Sequence, residues 1–225
     1  MDEQSSWPDS GQTKDQVKTV VTTFVKSYLK PRFPASETAV SDTKSFPVNS
    51  ATLNTMSQTT HALAVAVAPE SLFPIADLWR LAFLDPAVCS WAASSPNPIH
   101  TLLAKAILAL DSPSKGSRNY VLIVLRLLCN NFSQVSLAQT ILRSEMRNEI
   151  TTALISSLLH PDGTVRTASA SLAFNIAAVV QKDRIEAVKS GQDIQLASDA
   201  DWEIEVITAI VEALNREKEN EEVGS

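Results

Sequence analysis

Apolar residues recur every three or four positions along most of the chain, which is the spacing of an α-helix that buries one face. The first segment with this spacing, residues 14–29, is followed by Pro31, where a helix is expected to end. No segment alternates apolar and polar residues like a half-buried strand, and the hairpin dipeptide Asn-Gly does not occur. The pattern therefore predicts an all-α protein.

From residue 51 onwards the sequence predicts a succession of helices joined by short segments. The predicted helices are 51–68, 70–83, 86–93, 98–110, 117–131, 135–147, 148–159, 165–180, 183–189 and 199–215. We divide the chain into a flexible N-terminal segment with one short helix and a Pro-rich linker (1–50), a compact helical domain (51–216) and a charged, disordered tail (217–225).

Two of these helices carry an asparagine at the same point of an apolar run. The run Leu-Arg-Leu-Leu-Cys-Asn ends at Asn130, the run Ala-Ser-Leu-Ala-Phe-Asn ends at Asn175, and Leu-Trp-Arg-Leu at 78–81 lies about one period upstream. A period of about 45 residues is typical of armadillo and HEAT repeats, in which each unit buries its apolar faces against the next. The sequence therefore predicts an armadillo/HEAT-like helical repeat array, an α-solenoid.

The sequence His-Pro-Asp-Gly at 160–163 joins one predicted helix to the next, as in armadillo and HEAT arrays. In the helix that follows, Phe174 is expected to fill the core between repeats. Stacked arrays of this kind usually serve as binding surfaces, so the sequence favours an interaction protein.

The composition narrows the class of partner. The chain has 225 residues, 44% of them hydrophobic, and a net charge of −6, which is unfavourable for a general nucleic-acid binder. No apolar run reaches the roughly 18 residues of a membrane span, and we expect a monomer without a membrane partner. Cys89 and Cys129 lie in apolar runs, which indicates buried free thiols and suits a reducing compartment such as the cytoplasm or the nucleus.

Nothing in the sequence points to catalysis. The histidines His61, His100 and His160 belong to no HExxH motif and adjoin no CxxC motif, and the sequence has no Gly-x-Ser-x-Gly elbow, phosphate loop or GxGxxG. Cys129 lies inside an apolar helix rather than on an accessible turn, where a reactive thiol would be expected. We therefore expect no enzymatic activity, no cofactor and no metal site.

Polar side chains inside apolar helices are the better candidates for a binding site. They are Arg80, Arg126, Asn130, Asn131, Arg166 and Asn175. In one interpretation they are structural, each Asn bonding a neighbouring backbone group and each Arg pairing with an acid. In the other, they line one concave face of the array, where Arg binds carboxylates and Asn hydrogen-bonds an extended peptide. That surface would suit an acidic peptide.

Three segments resemble the PUL domain, the armadillo-like module that ends the phospholipase-activating-protein family of ubiquitin-pathway adaptors. They are Leu-Phe-Pro-Ile-Ala-Asp-Leu-Trp-Arg-Leu at 72–81, Leu-Arg-Leu-Leu-Cys-Asn-Asn-Phe at 125–132, and 165–178. The resemblance covers 51–215. It implies binding of the acidic C-terminal tail of the hexameric valosin-containing AAA ATPase through a basic groove, in ubiquitin-dependent protein turnover.

The resemblance also implies roles for single residues. Arg80, Arg126 and Arg166 are expected to contact the acidic tail, with Asn130 and Asn175 on its backbone. Two alternatives stay open. The chain could be a general armadillo/HEAT scaffold with an unrelated partner, which follows if the three arginines point to different sides. It is also similar to the C-terminal part of fungal proteins that join a thioredoxin-like or PPPDE-peptidase domain to a PUL module, in which the catalytic part would lie elsewhere.

Overall fold

The computed structural model describes residues 13–32, 49–94, 98–191 and 200–223. Every regular element within these residues is a helix. This confirms the prediction of an all-α helical repeat array.

The helices follow one another with short connections. In chain order the α-helices are α1 (Lys14–Thr23), α2 (Lys30–Arg32), α3 (Ser50–Ala66), α4 (Phe73–Ala82), α5 (Pro86–Ser94), α6 (Pro98–Ala109), α7 (Lys115–Phe132), α8 (Val135–Leu142), α9 (Met146–Leu158), α10 (Gly163–Lys189) and α11 (Ala200–Val223). A π-helical segment, Phe24–Leu29, joins α1 to α2, and a 3-10 segment, Pro69–Leu72, precedes α4.

The helices pack in three rows. The first row consists of α4, α7 and α10, the second of α3, α6, α9 and α11, and the third of α5 and α8. Two of the first-row helices also pack on the second-row helix that precedes them, α7 on α6 and α10 on α9. The units α5–α7 and α8–α10 therefore repeat one three-helix arrangement, and each buries its apolar faces against its neighbour.

Polar side chains fix where the first-row helices begin. Ser114 accepts a hydrogen bond from the Gly116 N–H at 3.1 Å at the start of α7, and Asp162 accepts one from the Thr164 N–H at 2.9 Å at the start of α10. Gly116 also permits a close approach, because a Cβ at that position would lie 2.8 Å from the Cβ of Glu70. The 3-10 segment therefore packs directly on the first turn of α7.

Helix α7 runs through the middle of the array and is buried on most sides, as its sequence predicts. Tyr120 is fully buried, and its hydroxyl donates to the carbonyl oxygen of Leu102 on α6 at 3.0 Å. No single described helix combines the length and the apolar character of a membrane span. Together α7 and α8 do so, but the chain bends by 112° between them.

The N-terminal helix belongs to the same core, so the domain boundary predicted near residue 51 is wrong. Phe24 is fully buried, stacks on Tyr28 with ring centroids 5.2 Å apart, and lies 5.5 Å from the ring of Trp79. The Tyr28 hydroxyl also donates to Asp85 at 2.9 Å. The predicted lead-in and Pro-rich linker fall mainly on residues 1–12 and 33–48, which lie outside the described residues.

The C-terminal helices are longer than the sequence predicts. The segments 165–180 and 183–189 form one helix, α10, because Gln181 and Lys182 between them both favour helix. Helix α11 continues to Val223, past residue 217, where the sequence predicts a disordered tail.

Phe174 does not fill the core between repeats, so that expectation is wrong. Its side chain is 73% exposed, whereas Leu172 and Ile176 of the same helix are buried. The buried face of α10 therefore passes through Leu172 and Ile176, and the aromatic ring lies on the solvent side.

Two phenylalanine substitutions test this assignment of the core. Phe24→Ala should lower the free energy of unfolding by about 3–5 kcal/mol, because it removes a fully buried ring from an aromatic cluster. Phe174→Ala should change it by less than about 0.5 kcal/mol, as is usual for an exposed side chain. Urea unfolding followed by circular dichroism measures both, and equal losses would contradict the assignment.

Candidate functional site

A groove of about 480 Å³ opens between α7 and the first turns of α10, with the last turn of α4 at its edge. It is lined by Arg80, Arg126, Cys129, Asn130, Thr164, Thr167, Ala168 and Ser171. These lining side chains include two arginines and no carboxylate, so we call this surface the basic groove. All three first-row helices contribute to it.

The two arginines of the basic groove differ in their pairing. Arg80 donates from Nε to Oδ1 of Asp77 at 2.7 Å, one helical turn earlier, and both side chains are partly exposed. Arg126 is exposed, and no ion pair or hydrogen bond of its guanidinium occurs within the described residues. Since partly exposed ion pairs are weak, Asp77 leaves Arg80 able to bind a second anion, and Arg126 has its full charge available.

Asn130 joins α7 to α4 below the basic groove. Its Nδ2 donates to the carbonyl oxygen of Arg80 at 2.8 Å. That carbonyl lies at the end of α4, where the Leu84 N–H bonds the oxygen of Leu81 at 3.1 Å instead of continuing the α-helical pattern. Asn130 therefore supplies a donor to a helix-terminal carbonyl, a group that a helix cannot satisfy by itself.

Asn175 repeats this contact one unit later. Its Nδ2 donates to the carbonyl oxygen of Cys129 on α7 at 3.2 Å. At this helix end the Ser133 N–H bonds the oxygen of Asn130 at 3.2 Å, so the pattern of hydrogen bonds matches that at the end of α4. We call Asn130 and Asn175 the asparagine ladder, since each joins its first-row helix to the preceding one.

Asn131 faces the interior. It is fully buried, and neither its Nδ2 nor its Oδ1 has a hydrogen-bond partner among the described residues. The adjacent Asn130 lines the groove because one residue along a helix turns the side chain by about 100°. The structure thus places Asn131 away from the surface where the sequence analysis expects it.

Arg166 lies outside the basic groove and has partners of its own. Its Nη1 donates to the carbonyl oxygens of His160 at 3.0 Å and Pro161 at 2.8 Å, and its Nε pairs with Glu217 of α11. The hydrogen bond from Arg166 lowers the pKa of Glu217 below its ordinary value. Arg166 therefore ties α11 to the turn before α10, which is the structural interpretation of this arginine.

Three hydroxyl side chains complete the groove, and the sequence analysis did not identify them. Thr164, Thr167 and Ser171 are exposed along one side of α10, and all three line the groove opposite Arg126. Their spacing of three and four residues is the signal that could have found them, because it places side chains on one helix face. Their hydroxyls already donate to Asp162 and to the carbonyl oxygens of Gly163 and Thr167, so this wall offers acceptors to the N–H groups of a peptide backbone.

Cys129 forms part of the wall but is not a nucleophile. Burial raises the pKa of its thiol to about 11, although the nearby cation of Arg126 acts in the opposite direction. Burial likewise raises the pKa of Cys89 to about 11. Since the thiolate is the reactive form, both residues stay protonated at neutral pH.

The structure brings together three of the six candidate residues, namely Arg80, Arg126 and Asn130. Guanidinium groups bind carboxylates with charge-assisted and often bidentate hydrogen bonds. With hydroxyls on the opposite wall, the basic groove has the chemistry of a surface that binds an extended acidic segment. Contact of the candidate residues with a partner stays a prediction.

Replacing Asn130 tests the asparagine ladder. Asn130→Ala should lower the free energy of unfolding by about 1–3 kcal/mol, because the carbonyl of Arg80 loses its donor. Asn119 is an exposed asparagine of the same helix, and Asn119→Ala serves as the control, with a change of less than about 0.5 kcal/mol. Urea unfolding measures the difference. If both variants unfold at the same urea concentration, the hydrogen bond from Asn130 to the Arg80 carbonyl contributes nothing to stability.

Comparison with known families gives one finding. A model of the PUL domain family matches residues 19–224, which is nearly the whole chain. The match begins within α1 and therefore includes the N-terminal helix that packs into the core. No curated protein and no solved structure matched the chain.

Proposed function

The chain belongs to the PUL domain family, a family of protein-interaction modules, and from that premise we propose that its basic groove binds the acidic C-terminal tail of the hexameric valosin-containing AAA ATPase. In this proposal the protein is a non-catalytic adaptor, acting as a monomer in ubiquitin-dependent protein turnover in the cytoplasm and the nucleus.

One observation carries the proposal. Arg126 is an exposed cation without an acidic partner among the described residues, next to Arg80 in a groove whose lining side chains include no carboxylate. The chain as a whole has a net charge of −6, so a local cationic surface of this kind stands out against its surroundings. Such a surface attracts an anionic ligand at short range even where the whole protein is acidic.

The opposite wall supports an extended peptide as the ligand. Thr167 and Ser171 lie one turn apart on α10 and face the arginine side across the groove. A peptide between the walls would place its carboxylates on Arg80 and Arg126 and its backbone N–H groups on the hydroxyl oxygens. Asn130 is less available than the sequence analysis expects, because its Nδ2 already donates to the backbone of α4.

Titration of the full chain with a synthetic tail peptide of the ATPase tests the proposal. We expect binding that weakens as salt is added, because the contacts are partly exposed charges. Arg126→Ala should weaken binding at least tenfold, which is about 1.4 kcal/mol. Arg126→Lys should have an affinity for the peptide between those of the unmodified chain and Arg126→Ala, since lysine keeps the charge but not the bidentate geometry.

Arg143 provides the matched control. It is an exposed arginine at the end of α8 and does not line the basic groove. Arg143→Ala should bind the tail peptide like the unmodified chain. Equal affinity for Arg126→Ala and Arg143→Ala would reject the basic groove as the site and would favour a scaffold with a different partner.

A further inference from the structure

The two helices that form the walls of the basic groove, α7 and α10, run in the same direction. Asp162, at the start of α10, pairs with Arg118 in the first turn of α7, 44 residues earlier in the chain. Asn175, farther along α10, bonds the carbonyl oxygen of Cys129 in the last turn of α7, 46 residues earlier. Because the offset is nearly equal at both contacts, the helices are parallel and the two contacts lie at opposite ends of their interface.

The basic groove lies between these two contacts. On α7, Arg126 falls between positions 118 and 129. On α10 the three hydroxyl residues of the groove, which we call the hydroxyl wall, fall between positions 162 and 175, and they are Thr164, Thr167 and Ser171. The separation of Arg126 from the hydroxyl wall therefore depends on what holds each end of the interface.

The asparagine ladder holds one end, and the pair of Arg118 with Asp162 holds the other. Arg118 donates from Nη1 to Oδ2 of Asp162 at 2.7 Å, and both side chains are partly buried. Among the described residues this is the one ion pair between α7 and the start of α10. A partly buried ion pair is screened less than a fully exposed one, so it can fix the position of one helix relative to the other.

Asp162 also holds the first turn of the hydroxyl wall. Its Oδ1 accepts hydrogen bonds from the hydroxyl of Thr164 and, at 2.9 Å, from the N–H group of the same residue. The hydrogen bond from that hydroxyl is the main influence that lowers the pKa of Asp162 to about 2, so the carboxylate is ionised at neutral pH. One carboxylate therefore connects the hydroxyl wall to α7, with one oxygen on each side.

We propose that Arg118 is a positioning residue for the acidic peptide in the basic groove. It does not line the groove, but through Asp162 it holds the hydroxyl wall at the separation from Arg126 at which one peptide contacts both. Residues that keep a binding site in its productive geometry raise affinity without contacting the ligand. The inference rests on the proposed function, since it concerns the same groove and the same ligand.

Removal of the arginine is the first test. In a titration of the full chain with the tail peptide, Arg118→Ala should weaken binding about threefold or more, because one end of the hydroxyl wall is no longer held. Arg118→Lys should recover most of that affinity, since the pair uses a single nitrogen of the guanidinium, which an ammonium group can replace. Circular dichroism establishes that the variants are folded. Equal binding by Arg118→Ala and the unmodified chain would overturn the positioning role.

Removal of the carboxylate separates positioning from charge. Asp162→Asn keeps an oxygen that can cap α10 but loses the ion pair with Arg118. If Arg118 acted on the ligand only through its charge, loss of the nearby negative charge would tighten the binding of an acidic peptide. Positioning predicts the opposite sign, with binding about threefold weaker or more. Tighter binding by Asp162→Asn would show that charge alone acts here, against the proposal.

Two further variants complete the comparison. The double variant Arg118→Ala/Asp162→Asn should bind no more weakly than the weaker single variant, because both changes break the same contact. Asp111→Asn is the matched control, since Asp111 is exposed and does not line the groove. It removes the same charge and should bind the peptide at least as tightly as the unmodified chain. Losses that add up in the double variant would contradict a shared role.

NMR spectra of the chain without peptide distinguish this proposal from the proposed function. The amide shifts of Thr167 and Ser171 should change in Arg118→Ala, although these residues lie on another helix, and should stay constant in Arg143→Ala. If they change while the unmodified chain does not bind the tail peptide, Arg118 positions the wall and the choice of ligand is wrong. If the unmodified chain binds but neither the shifts nor the affinity respond to Arg118→Ala, the proposed function stands and the positioning role is wrong.

Discussion

The architecture depends on how the ends of the first-row helices are satisfied. At the end of α4 and again at the end of α7, one carbonyl is left without a helical donor, and an asparagine of the next first-row helix provides it. Each contact links residues in successive repeats and fixes the position of one helix along the next. A buried polar group without its partner is costly, so the asparagine ladder favours one register over sliding alternatives.

That register determines the surface above it. Arg80 lies on α4, Arg126 on α7 and the hydroxyl residues on α10, and these helices meet as one groove only when the row is in this register. On its other side α10 faces α11, with Ala170, Ala173 and Leu214 among the residues between the two helices. One helix therefore separates a charged surface from an apolar one, with Thr167 lining both.

The fold could be predicted from the sequence because helical periodicity and a 45-residue repeat are both visible in the order of the residues, without knowledge of distant packing. The sequence also identified the asparagines as candidates, but it did not predict which way their side chains point. Asn130 and Asn131 are adjacent, yet Asn130 lines the groove and Asn131 is buried. Arg166 was a candidate because it lies inside an apolar helix, but its contacts with Glu217 and with the α9–α10 turn depend on distant packing. For the same reason the sequence, which places Phe24 on the apolar face of the first helix, did not predict that this face packs into the domain core or that Phe174 is exposed.

The central claim is that the acidic tail lies between Arg80, Arg126 and the first turns of α10. Backbone amide chemical shifts of the full chain, followed by NMR during a titration with the tail peptide, test it most directly. The account predicts that the shifts change around residue 80, around residues 126–130 and along 164–171, while those of α11 stay constant. Changes confined to α11 and to the side of α10 that faces α11 would contradict it.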